Sequence, residues 1–198
     1  LLATERPVIA APAMNTSMWE NPFVQKNWEI LKSDSRVLAL PPSSGLLACD
    51  RVGDGRMIDT EIIKLGICSG IIQTKKNGEL KLDWTGKKFI VTAGPTAEPI
   101  DPARLITNRS SGRMGVLLAQ AARFRGADVD LIHGPLRVPS GLLDGLITHP
   151  IESSNDMKET LAKLHSSADA IAMTAAIADI RRKEGGEAQK INKDRLLI

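Results

Sequence analysis

The sequence predicts an α/β protein built on parallel sheet, and three observations carry that reading. First, from Gly86 onward, strand-length apolar runs (KFIVTAG, DVDLIHG, ADAIAMTAA) alternate with helix-length segments at 112–125 and 154–166. Second, helices of about 12 residues between strands imply right-handed β-α-β crossovers, which give a parallel sheet covered on both faces. Third, 198 residues with 42% hydrophobic and 25% charged content are enough to bury a core and are typical of an ordinary globular chain.

In chain order, Arg6 to Ala13 (RPVIAAPA) is a short apolar run ended by Pro12 and reads as a buried strand leading into a loop. PFVQKNWEILKS reads as a helix: Phe23, Val24, Trp28 and Leu31 recur at helical spacing, and Pro22 suits the first turn. VLALPPSSG is a strand and turn, whereas GLLACDRVGDGRM, with Gly45, Gly53 and Gly55 and no period, reads as a mobile loop. A helix over 59–66 and a short strand around Ile71 and Ile72 follow, with Cys68 as a small core residue in that apolar stretch. KKNGELKLDWTGKK, polar and carrying Asn-Gly, reads as a linker or surface hairpin.

Composition excludes several functions. With three Phe, three Trp and no Tyr, a stacking surface for single-stranded nucleic acid is not expected. The net charge of +3 is spread along the chain and argues weakly for an anionic ligand and poorly for DNA. Two cysteines without zinc-ligand spacing fit a reducing cytoplasm. No apolar run approaches the ~18–20 residues of a membrane-crossing helix, so no membrane partner is expected. Leu1 in place of Met at the start and LLI at the end read as the limits of a fragment.

Parallel sheets bind ligands at the carboxyl ends of their strands. The segment from Thr92 to Gly115 reads as a strand-to-helix loop of some 17 residues, well beyond the ~2–6 usual for such connections, and excess of that kind is generally functional. It ends NRSSGRMG, which puts Ser110, Ser111 and Gly112 at a helix start, where backbone N–H groups and the helix dipole favour an anion, with Arg109 and Arg113 adding charge. Ser-Ser-Gly alone also reads as a plain helix cap, and the long loop favours the anion site. No G-x-G-x-x-G follows this strand and no P-loop occurs anywhere.

MTAAIAD offers small residues at a strand end, against which a flat ring can lie; Asp179 could accept hydrogen bonds from a base or hold a metal ion, although an Ala-rich strand also packs closely on helices without any ligand. Lys190 supplies a mobile cation for a triphosphate, or is a solvated surface lysine. Cys49, in a glycine-rich segment, could deliver a proton under a closing lid. Asn15 could bind a carboxylate, with a helix N-cap as its default role. His133, His149 and His165 are scattered and have no assigned role.

Together these stretches resemble a known family. PAMNTSMW (Pro12 to Trp19) is similar to the P-x-M-N-x-x-M-W motif of flavin-dependent phosphopantothenoylcysteine decarboxylases, and LACDRVGDGRM resembles their substrate flap with its proton-donating cysteine. TAGPTAEPIDPARLITNRSSGRMG, MTAAIAD and KINK resemble the CTP-dependent phosphopantothenate–cysteine ligases. The order decarboxylase then ligase resembles the bifunctional enzymes of coenzyme A synthesis.

The resemblance implies two partial Rossmann-like parallel-sheet domains, residues 1–82 from the end of an FMN-dependent decarboxylase and 83–198 from the start of a ligase. By matching motifs, Asn108 and Lys190 would handle an acyl-cytidylate and its charge. Met173, Thr174, Ala175 and Asp179 would line the cytidine site, with Ser110, Ser111 and Gly112 as further nucleotide contacts. Asn15 would bind the departing carboxylate and Cys49 would protonate the decarboxylated product. FMN, CTP and Mg²⁺ are the implied cofactors and cosubstrate, 4′-phosphopantothenate and cysteine the substrates, and a homo-oligomer the expected assembly. Most FMN contacts and a catalytic histidine would precede Leu1, and the rest of the triphosphate site would follow Ile198.

Asp50, Pro95, Ala97 and Asn192 depart from the family pattern without removing an assigned residue. An NAD(P)-dependent reductase of similar architecture and a non-catalytic decarboxylase-like binding protein are the alternatives.

Overall fold

A computed structural model of the chain describes residues 4–47, 51–182 and 186–191. Its contacts define two compact units: residues 1–87 with 120–128 and 139–146, and residues 88–119 with 129–138 and 147–198.

In the first unit, β1 (Val8–Ala10) pairs in parallel with β2 (Val37–Ala39), Val8 opposite Val37. Between them lie the single turn α1 (Thr16–Trp19) and α2 (Pro22–Ser33), which begins as expected with Pro in its first turn and Asn21 as N-cap. Trp28 is the buried residue of α2, and its ring meets Trp19 edge-on at 5.5 Å. Phe23, expected on the apolar face of this helix, is 78% exposed, whereas Val24 beside it lines a cavity with Trp28.

Residues expected to form a mobile loop form a hairpin instead, β3 (Ser43–Leu46) with β4 (Val52–Arg56), antiparallel, with Gly45 opposite Gly53. Glycine erases the period-2 signal without preventing pairing. Gly55, at φ +128°, accepts a hydrogen bond at its carbonyl from Met14 N–H at 2.9 Å, an approach that a Cβ would block.

The next element, α3 (Thr60–Gln73), absorbs both the helix expected at 59–66 and the strand expected at Ile71 and Ile72. Asp59 caps it, and Gly66 and Gly70 let it settle on Leu38 and Ile9 of the small sheet and on Leu40 just past β2. Cys68 is exposed on the far side, not in the core, since the buried stripe runs through Ile62, Gly66 and Gly70. The Asn-Gly segment is a surface hairpin: Thr74 bridges Leu80, with Gly78 at φ +81°.

The second unit holds a four-stranded sheet in the order β10-β5-β8-β9, parallel throughout. Its strands are β5 (Lys88–Ala93), β8 (Asp128–His133), β9 (Ile147–Pro150) and β10 (Ala170–Met173), with α4 (Arg113–Phe124) and α5 (Ser154–Leu164) between them. Ile90 and Ile132 face Met157, Leu161 and Leu164 of α5 on one side of the sheet. Ala93, on the opposite face by strand alternation, meets Gly115 of α4. Ser153 and Asp156 close a capping box at the start of α5. The expected 17-residue loop contains a second hairpin, β6 (Ala97–Asp101) with β7 (Arg104–Thr107). Pro99 and a register shift near it hid the alternation.

Candidate functional site at the strand ends

The carboxyl ends of β5 and β10 are joined by side chains as well as by the sheet. Thr92, fully buried, presents its hydroxyl oxygen to the N–H groups of Thr174 at 3.1 Å and Ala175 at 3.2 Å, and Thr174 donates its own hydroxyl to the Thr92 carbonyl. The connection continues beyond the strands: Ala176 N–H donates to Gly94 O at 2.9 Å, and Ala178 N–H to Thr96 Oγ1 at 2.9 Å. Met173 is left 56% exposed and Thr174 and Ala175 half-buried, so these three present surface at the rim. Asp179 lies on the exposed run that follows.

Asn108 follows β7, and its Nδ2 donates to Ala176 O and Ile177 O, both at 3.1 Å. One amide thus ties the start of the α4 connection to the exit loop of β10. Both bonds go to backbone carbonyls, so the assignment of nitrogen and oxygen is fixed by the network.

Gly112 is buried against Gly94, in the left-handed region at φ +77°; an added Cβ would lie 3.0 Å from Gly94 N and 2.2 Å from Leu136 Cδ2. The backbone N–H groups expected to be free for an anion are partly engaged. Gly112 N–H donates to Ser110 Oγ at 3.2 Å and Arg113 N–H to Ser111 Oγ at 3.3 Å, because serine hydroxyls at a helix start readily take the first donors.

Three functional candidates were missed by the sequence reading. Glu98, buried at 5% exposure, accepts from Ser154 N–H at 2.7 Å at the start of α5. Asp101 and Arg104 form an ion pair at 2.6 Å with the carboxylate fully covered. The guanidinium beside it, with the N–H groups of Ala103 and Ile191, holds the Asp101 carboxyl down at about 2. The available signal was the i, i+3 spacing in IDPARL. His149, given no role from sequence, lies 2.6 Å from the buried Asp130, which also takes Lys88 at 3.3 Å, so it serves the sheet rather than the rim.

Lys190 is exposed, and Ile191 beside it is bound to the Asp101–Arg104 pair. In the first unit Asn15 is the N-cap of α1, accepting from Ser17 N–H at 2.9 Å. An apolar cavity of about 330 Å³ lies nearby, lined by Ala10, Pro12, Met14, Trp19 and Trp28 among others. Cys49 lies outside the described residues. Among the described residues no three His, Cys, Asp or Glu side chains converge as a metal cluster, and no helix is long and apolar enough to cross a membrane.

A family model described as the DNA/pantothenate metabolism flavoprotein C-terminal domain matches residues 84–197. The chain belongs to this family. A second model, described as Flavoprotein, matches residues 1–71. The Coenzyme A biosynthesis bifunctional protein CoaBC of Bacillus subtilis (strain 168) is 40% identical over 92% of this chain and 43% of its own length. A Cysteine/Cysteine sulfinic acid decarboxylase from an unknown prokaryotic organism is 39% identical over 90% of this chain and 48% of its own. A crystal structure of the C-terminal domain of a CoaBC protein is 38% identical over 55% of this chain and 56% of that one, with a TM-score of 0.46. The chain spans about half the length of the curated relatives it matches.

Proposed function

We propose that the chain contributes to the CTP-dependent ligation of cysteine to 4′-phosphopantothenate and to the FMN-dependent decarboxylation of the product, two consecutive steps of coenzyme A synthesis in the cytoplasm. In this reading residues 1–82 belong to the decarboxylase and 83–198 to the ligase. The observation that carries it is the junction of β5, β10 and the α4 connection through Thr92, Thr174 and Asn108, at the edge of a parallel sheet where nucleotides bind.

At that rim the substrate carboxylate attacks the α-phosphate of CTP; a carboxyl oxygen–phosphorus bond forms and pyrophosphate leaves. The cysteine amine then attacks the acyl carbon, forming the amide and releasing CMP. Asn108 keeps the rim closed on the side of the acyl-cytidylate, and Lys190 offsets charge as pyrophosphate departs. Met173, Thr174, Ala175 and Asp179 lie along the cytidine. Gly112, with the hydroxyls of Ser110 and Ser111, faces the phosphates: rotation of these hydroxyls would return the helix-start N–H groups to an anion. Mg²⁺ would enter with the triphosphate and would supply charge neutralisation as pyrophosphate leaves.

In the first half, the apolar cavity lined by two tryptophans suits a flat ring system, and Asn15, at its edge by sequence, would turn from capping α1 to binding a carboxylate. FMN held there would supply the reversible two-electron chemistry that this decarboxylation needs. Cys49 would deliver the proton. The assembly expected is a homo-oligomer.

The test is CMP release from CTP by the polypeptide carrying this sequence, with 4′-phosphopantothenate and cysteine each omitted in turn and Lys190→Gln alongside. Release that requires phosphopantothenate and collapses in the variant is the expected result. Its absence from folded, flavin-bearing protein sinks the ligase reading. The relative named for decarboxylating cysteine and cysteine sulfinic acid favours a second reading, carbon dioxide release from a free cysteine derivative without CTP, which a separate measurement of carbon dioxide from cysteine in the absence of CTP detects.

A further inference from the structure

Residues 186–191 run back along the β6–β7 hairpin and are held there at two levels. At the outer level, Glu187 N–H donates to Ile100 O at 3.0 Å, while Arg182 reaches the same carbonyl at 3.2 Å and pairs with Glu187 Oε1 at 2.9 Å. At the inner level, Asp101 Oδ2 accepts from Ile191 N–H at 3.1 Å, and Arg104 Nη2 donates to Ile191 O at 2.6 Å. Both backbone polar groups of Ile191 are therefore taken by one ion pair, whose carboxylate is itself fully covered. Asp101 Oδ1 is occupied by Ala103 N–H at 2.9 Å, so each carboxylate oxygen has separate work to do.

This arrangement is more than a hairpin staple. An Arg fork shared between a carboxylate and a carbonyl is directional and charge-assisted, and here it grips the residue immediately after a solvent-exposed lysine. Anchoring the backbone at 191 fixes the point from which the exposed Lys190 side chain reaches, which shortens the conformational search for a phosphate.

We propose that Asp101 and Arg104 are positioning residues that set the reach of Lys190 toward the nucleotide. The proposal rests on the ligase reading above. It assigns the pair no contact with substrate; their effect passes through the backbone of Ile191.

The experiment uses the full polypeptide with Asp101→Asn, Arg104→Lys, Lys190→Gln and the Asp101→Asn/Lys190→Gln double variant. Asparagine offers one acceptor oxygen where two are used, and lysine keeps the charge but cannot fork to both partners. Two readouts are combined. The first is trypsin cleavage at the Lys190–Ile191 bond, which the clamp protects and which is independent of any enzymatic assay. Both clamp variants are expected to be cut at least ~10-fold faster there, with melting temperatures recorded alongside. The second is phosphopantothenate-dependent CMP release. Asp101→Asn is expected to lower kcat by ~10-fold or more, and to cost less than about twofold further in the Lys190→Gln background, since residues acting through one another are non-additive.

Unchanged cleavage at Lys190 in both variants overturns the clamp. Faster cleavage with losses that multiply in the double variant overturns the positioning role, as does wild-type turnover in either clamp variant. If Asp101→Asn does not fold, Arg104→Lys, alone and combined with Lys190→Gln, carries the same comparisons. A wild-type protein that gives no phosphopantothenate-dependent CMP defeats the ligase reading itself, a result separate from a clamp failure in an active enzyme.

Discussion

Single residues set the tolerances of the rim. Gly112 combines a left-handed backbone with a close approach to Gly94, so Gly112→Ala adds a conformational cost to a steric one. The expected loss is about 2–4 kcal/mol, as a lower urea midpoint at unchanged slope. An unaltered midpoint would mean that the turn relaxes without cost. Asp101 has a signature in pH. Its carboxyl is held near about 2 in the folded chain against an ordinary 3.8, so the folded state binds fewer protons. The stability it adds is full above the ordinary value and disappears as pH falls through the folded one. Urea midpoints of wild type and Asp101→Asn should differ above 3.8 and converge as the pH approaches about 2. A gap that persists undiminished at the acid end would remove the ion pair as its cause.

At the scale of elements, buried polar groups decide which segments are fixed. Gln120 on α4 is fully buried, and its Nε2 donates to Leu142 O at 2.9 Å and Asp144 O at 3.0 Å, while Oε1 accepts from Arg123 at 3.2 Å. Gln120→Leu strands two carbonyls in a dry setting and should cost roughly 2–4 kcal/mol, together with faster amide exchange around 140–146. Stability equal to wild type would show that water replaces the amide. Burial also lowers the Arg123 guanidinium to about 10 and raises the Asp144 carboxyl, in keeping with the incomplete pairing there: Arg123 Nη2 and Asp144 Oδ2 lack partners among the described residues.

Elements with strong local signals were legible in the sequence. α2 has Asn21 and Pro22 at its start, and β5, β8 and β10 are short apolar runs between turn residues. What failed did so for physical reasons. Ile71 and Ile72 are β-branched, yet they continue a helix whose inward face is set by Gly66 and Gly70, residues that a pattern of apolar side chains does not register. β6 and β7 carry Pro99 and a register shift, which break the period on which strand recognition depends. In the rim, Asn108, Thr174 and Gly112 could be named from motifs, whereas the buried hydroxyl of Thr92 and the hold of the Asp101–Arg104 pair on Ile191 depend on pairings more than 80 residues apart in sequence.

For the molecule as a whole, chain order and compactness do not coincide. Residues 120–128 and 139–146 belong with residues 1–87: Gly141 lies directly on Asp59, the cap of α3, and Arg125 stacks on Trp84 at 3.8 Å while pairing with Asp83. Residues 1–82 made alone lose all of this. They should melt below the corresponding transition in the whole chain, by about 4–8 °C for each kcal/mol removed. Equal melting temperatures by calorimetry would show that the returning segments add nothing.

The pairing of β10 with β5 also has a temporal consequence. Lys88 and Asp169, which bond at the start of that pairing, are 81 residues apart. On a ribosome adding about 5–20 residues per second, β5 emerges seconds before its outer neighbour exists. During that interval an edge bearing Phe89, Ile90 and Val91 stands open to any other extended chain. The rim at the strand ends is thus completed late in synthesis, and the nascent chain is most vulnerable to misassociation before β10 arrives.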